Sequence, residues 1–155
     1  MKEMSEDVFF ETTASRKLVD LIERSADELT ATYVQDIRRD PRMPSYQGFD
    51  QREIYRRAYL VYSQLGKWIS QETTREEIRK YWRALGRQRR REGFPFSEIV
   101  LSLCHIRRLL WAKVQSAGLM DTALDFCQAM DLHQRVVVFF DRALYYAALG
   151  FEDKS

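Results

Sequence analysis

The sequence predicts an all-α protein, a single bundle of five or six helices. Three observations carry that expectation. Apolar residues recur at three- and four-residue steps through almost the whole chain. The stops between these runs are prolines and glycines at helix-terminating positions. The one β-like run, "RVVVFF" at 135–140, lies between segments of helical period. With 155 residues, 45% of them hydrophobic and 13% aromatic, the chain is long enough for one domain with its own core. The expected division is an N-terminal extension over 1–13 and a helical core over 14–150.

The first helix is expected over 14–39, with Leu18, Ile22, Leu29, Tyr33 and Ile37 on one face. It should stop at Asp40-Pro41, because a residue before proline avoids the helical region. The stretch "DPRMPSYQGF", with two prolines and a glycine, is expected as a loop. Asp50 followed by Glu53 resembles a capping box that opens a second helix, whose stripe is Ile54, Ala58, Val61, Leu65 and Trp68. Beside it runs a second stripe of Tyr55, Tyr59 and Tyr62.

Thr74 and Glu77 make another box, and Ile78, Trp82 and Leu85 follow on one face until Gly93. After the Phe94-Pro95 turn, Ile99, Leu103, Ile106, Leu110 and Val114 form a long stripe closing at Gly118. The last segment, 121–149, carries Leu124, Met130, Val137, Phe140 and Leu144 and is expected to end at Gly150. Asp131 offers an internal cap there, so this segment reads as one helix or two.

Composition removes several function classes. The net charge is only +2, so nucleic-acid binding would have to rest on a local patch. The two cysteines, Cys104 and Cys127, form neither a disulfide framework nor a zinc motif, which fits a reducing compartment. The acidic opening "MKEMSEDVFFETTASRK" lacks the apolar segment of a signal peptide, and no window approaches a membrane span. The expected location is the cytoplasm. No Gly-rich phosphate loop, nucleophile elbow, zinc-protease motif or calcium loop is present, so no catalytic residue and no metal site is expected.

Two features invite a binding reading. Residues 75–92 hold eight basic against three acidic side chains, a surplus of five. Arg79, Arg83, Arg87 and Arg90 form a row beside the apolar face, making Arg83, Arg87 and Arg90 candidates for an acidic partner or, as an alternative, nucleic acid. The intramolecular reading pairs this row with Asp20, Glu23, Asp27 and Glu28, and lets Arg89 to Arg91 offset the negative end of the helix dipole. The tyrosine stripe of Tyr55, Tyr59 and Tyr62, with Tyr145 and Tyr146 of the last helix, fits a homodimer interface, or equally a helix held between two neighbours. A single histidine can hold haem, and His133, then His105, are the candidates.

The order "YWRALGRQRRREGFPFSEIVLSLCHIRRLLW" followed by "FFDRALYYAALGFE" resembles the N-terminal domain of the RsbRD family of RsbT co-antagonists. The resemblance covers roughly 14–152. It implies a globin-like input module of bacterial stress signalling that dimerises, needs no haem and has no catalytic residue. Such a module would act on an anti-sigma-antagonist (STAS) or kinase output. As the sequence ends at Ser155 without either, the resemblance implies an excised input half or a free-standing version working on another chain.

Overall fold

The computed structural model describes residues 15–70, 73–118 and 121–153, and these form eight helices and no strand. They are α1 (Ser15–Arg24), α2 (Ala26–Arg39), α3 (Pro44–Gln47), α4 (Gln51–Ser63), α5 (Leu65–Ile69), α6 (Arg75–Arg91), α7 (Phe96–Ser116) and α8 (Ala123–Glu152). The all-α expectation holds. The helix count exceeds five or six because two expected helices are broken and the loop contains a turn of its own. The expected N-terminal extension lies outside the described residues.

The first break is at Ser25, where the φ/ψ pair of −93° and 10° leaves the helical well. The hydrogen-bond ladder continues across it, from Ser25 N to Leu21 O and from Leu29 N to Ser25 O. The apolar stripe therefore stays in phase, and Leu18, Ile22, Leu29, Tyr33 and Ile37 are all buried. Gln64 divides the second expected helix in the same way, at φ −118° and ψ 25°. Leu65 and Trp68 of α5 remain in the core.

The expected loop is anchored at both ends. Pro44 opens α3, where a missing N–H costs nothing. Met43 and Tyr46 are buried. The Gln47 side-chain amide reaches the carbonyls of Ile37, Arg38 and Asp40 at 2.9 to 3.1 Å, so it closes the end of α2. The Glu98 carboxylate, buried in α7, accepts from Ser45 N at 2.8 Å and caps α3.

The α6–α7 corner is a Schellman stop. Gly93 has φ +88°, its N–H reaches Arg90 O, and Phe94 N–H reaches Arg89 O. Phe94 is buried against Tyr46 and Phe49, with ring centroids 4.6 and 5.0 Å away. Thr74 and Thr122 cap α6 and α8 through Glu77 N and Asp125 N. Asp50 caps α4 through Arg52 N, while Glu53 turns to Arg56 and Arg57 instead of completing a box.

The last helix departs most from expectation. It is one helix of 30 residues, about 45 Å long at 1.5 Å per residue. Asp131 is not a cap; it pairs with Arg135 one turn on, at 3.1 Å. Gly150 is not a stop but lies within the helix, which ends at Glu152 with Asp153 as its C-cap. The buried face is Ala129, Leu132, Val136, Phe139, Phe140, Ala143, Ala147 and Gly150. Leu124 and Met130, expected in the core, are 63% and 42% exposed. The small residues at 143, 147 and 150 set that register, because they let α6 approach. A Cβ on Gly86 would lie 2.0 Å from Ala147 O, and one on Gly150 would lie 1.9 Å from Arg83 O.

Candidate functional site

On α6, Trp82, Leu85 and Arg89 fall at three- and four-residue steps and so share the inward face. On α4, Ile54, Arg57, Ala58 and Val61 do the same, and Tyr33, Tyr46, Ile99, Ser102 and Ile106 come from α2, α3 and α7. Together they line a cavity of about 40 Å³ in the bundle. Its polar wall is the pair Tyr33 hydroxyl and Ser102 Oγ, 2.6 Å apart. Burial raises the Tyr33 phenol far above its ordinary range, so it remains a neutral hydroxyl.

The cavity meets the surface at two arginines. Arg57, Leu85 and Arg89 line both the cavity and an outer groove of about 540 Å³ between α4 and α6. Arg57 grips Glu92 with both ends of its guanidinium, at 3.0 and 2.6 Å, and gives its Nε to Glu53 Oε1 at 3.0 Å. That bidentate pair is mostly shielded from water. Glu92 is pulled in two directions: burial raises its pKa, but Arg57 and Arg89 outweigh that and hold it low.

Arg89 is in a poorer position. Its side chain is 6% exposed, and its one hydrogen bond among the described residues is from Nη1 to Glu92 Oε1 at 3.3 Å. Burial, and then the neighbouring Arg57 charge, lower its pKa. A guanidinium has five donors, so most of these are unused. They are not sealed either: among the described residues the sealed, unpartnered side-chain nitrogens and oxygens are the indole nitrogens of Trp68 and Trp82. The free edge of Arg89 therefore keeps a little accessible surface, where it lines the cavity and the groove.

The residues singled out in the sequence fall into separate places. Arg83 and Arg87 both bind the Asp153 carboxylate, at 3.1 and 2.8 Å, and Arg90 donates to Phe151 O at 2.6 Å. Arg83, Arg87 and Arg90 are thus satisfied within the chain by the end of α8 and not by the acids of the first helix, while Arg79 pairs with Glu76 one turn back at 3.6 Å. Of those, Asp27 accepts from the Tyr55 hydroxyl and Glu28 from Lys113. Arg89 is no exposed dipole-compensating cation, since it lies 5% exposed on the inner face.

Tyr62 is fully buried and donates to Ile106 O at 2.9 Å, which removes it from any interface. Tyr55 and Tyr59 stack on each other, both half-buried, and Tyr145 is 60% exposed beside half-buried Tyr146. His105 Nε2 sits 2.9 Å from Asp40 Oδ2, and His133 packs on the Trp111 ring with centroids 4.5 Å apart. Neither histidine lines the cavity or the groove, and 40 Å³ is far too small for a porphyrin, so these residues do not fit a haem. Among the described residues no three His, Cys, Asp or Glu side chains gather as a metal site, and no helix is long and apolar enough to cross a membrane.

Sequence reasoning missed Arg57, Arg89, Glu92, Glu98 and Gly86. A signal for Arg89 was present. The face of Ile78, Trp82 and Leu85 continues four residues on to Arg89, inward and in phase.

No family model, no curated protein and no solved structure matches this chain. The RsbRD resemblance therefore rests on the quoted residues alone.

Proposed function

We propose that the chain is a non-catalytic input domain of bacterial signal transduction, working in the cytoplasm through homodimerisation and helix repacking on an anti-sigma (STAS) or kinase output. One observation supports it above the others. Five of the six large hydrophobics exposed among the described residues lie on α8: Leu124, Phe126, Met130, Val138 and Tyr145. Isolated exposed apolar residues are ordinary, but three of these five, Leu124, Val138 and Tyr145, share one stripe of α8, and such a series fits a docking face.

A second copy suits that face. Leu124, Asp131, Val138, Arg142, Tyr145 and Leu149 follow one another at steps of three, four or seven residues, along one stripe. Laid antiparallel, a copy whose Arg142 meets Asp131 also sets Leu149 against Leu124, since both pairs centre between Val136 and Val137. One register thus brings apolar contact together with an added charge contact at Asp131, whose carboxylate Arg135 already holds from within the chain. The end of the same helix is held by Arg83, Arg87 and Arg90, so a shift of α8 against α6 would be felt at the C-terminal end of α8.

Light scattering at micromolar concentration tests the reading. The wild type is expected to be a dimer and Val138→Asp a folded monomer. Charge reversal at Arg142→Asp should weaken the dimer, and Asp131→Arg in the same chain should restore it. A wild-type monomer, or a dimer indifferent to all of these, overturns the reading.

A further inference from the structure

We propose that the free edge of Arg89 is a binding site for a short-chain monocarboxylate, the carboxylate on the guanidinium and the alkyl tail in the cavity behind it. As a stimulus site this rests on the regulatory reading above; as a binding site it does not.

Three features specify the ligand. The first is charge. Arg57 and Arg89 converge on the single carboxylate of Glu92, and Arg57 leaves it only the 3.3 Å contact to offer Arg89. A buried cation with one long hydrogen bond is costly, and a monoanion with two acceptor oxygens matches the unused fork of a guanidinium.

The second feature is shape. By the measure in which a water needs roughly 10 to 15 Å³, a 40 Å³ cavity takes about three water-sized groups. That is the tail of a two- to four-carbon acid and no more. The third is the wall. Apart from Arg57, Arg89 and the hydroxyl cluster of Tyr33, Tyr46 and Ser102, which bond among themselves, the cavity is lined by apolar side chains such as Ile99, Leu103 and Ile106. A phosphate would bring a second charge and a bulky polar head against the carboxylate of Glu92 and a largely apolar wall, whereas an alkyl chain fits. Arg89 and Arg57 stand between the cavity and the groove, so entry from the groove requires these side chains to move aside.

Calorimetric titration of the full chain with sodium propionate, against sodium chloride and phosphate at matched ionic strength, tests the site. Saturable binding with a dissociation constant on the order of 1 mM is expected for so small a ligand, with a thermal midpoint that climbs with propionate concentration. In the series from formate to hexanoate, affinity should peak at three or four carbons and then fall, which needs no variant. Arg89→Met should weaken propionate at least tenfold. Leu103→Phe, which keeps the guanidinium and fills the cavity, should lose propionate and keep formate.

No saturable propionate binding overturns the proposal, as does binding unchanged in both variants, a series without a maximum, or phosphate binding equally well through Arg89. A dimer that binds no propionate removes this site and leaves the regulatory reading. Propionate binding with no change in association keeps the site and removes its link to output.

Discussion

Gly86 and Gly150 are each other's condition at the crossing of α6 and α8: each leaves room for the other helix's backbone, at Ala147 O and Arg83 O respectively. Main chain on both sides means nothing can swing aside. Gly86→Ala or Gly150→Ala should each cost at least about 3 kcal/mol. Urea unfolding of the variants measures this. Because one crossing is being pried apart, the double variant should lose less than the sum of the two.

Gly93 is a glycine of the other kind. A Cβ there meets open space, and only the φ of +88° resists substitution. Gly93→Ala should cost about 1 to 2 kcal/mol, the ordinary strain of a left-handed residue. If it unfolds the protein as severely as Gly86→Ala, the corner carries more than its dihedral.

Tyr62→Phe keeps the buried ring and deletes the hydrogen bond to Ile106 O. The expected loss is about 1 kcal/mol, read by the urea midpoint, with no change in mass by light scattering. A changed oligomeric state would return Tyr62 to the interface from which its burial removes it.

These contrasts mark what was legible in the sequence. Helices that bury large side chains on one stripe, such as α2 and α7, were readable, because period alone separates inside from outside. The Gly93 and Pro95 corner was readable from residue type, since few residues take φ of +88° or suit a helix start. The buried face of α8 was not. It rests partly on Ala143, Ala147 and Gly150, whose value is their smallness, while Leu124 and Met130 point outward. Arg89 was hidden by its chemistry: three neighbouring arginines before a glycine look like a solvated helix end, and only the step from Leu85 places one of them inside. Ser25 and Gln64 break their helices with no proline or glycine to announce it.

The Asp153 carboxylate joins Arg83 and Arg87 to the last turn of α8, and these two arginines hold its pKa below the usual range. Asp153→Ala should leave the urea midpoint nearly unchanged, as the groups are near the surface. Its effect should be local, with faster amide exchange over 149–153. Unchanged exchange there would mean that Arg90, through Phe151 O, is enough to hold the end.

Acid should act through the cluster around Arg57. Arg56, and then Arg57, hold Glu53 at about 2 against the pull of burial, and Glu92 is also lowered. For a carboxylate whose folded pKa is depressed, the unfolded chain binds the proton first. The stabilisation is therefore complete above the ordinary value of about 4.3 and is lost as pH falls from there toward 2. Unfolding free energy from urea titrations should thus be level from pH 5 to 8 as far as these groups decide, and fall steeply below about pH 4. Arg57→Met removes one opposing charge from each carboxylate, leaving Arg56 on Glu53 and Arg89 on Glu92, so both folded values move up toward the unfolded ones, Glu92 more than Glu53. That variant should be less stable at neutral pH and show a shallower acid limb. A limb with the wild-type slope would place the acid sensitivity elsewhere, first at Asp40, whose carboxyl is held low by Arg42 and His105.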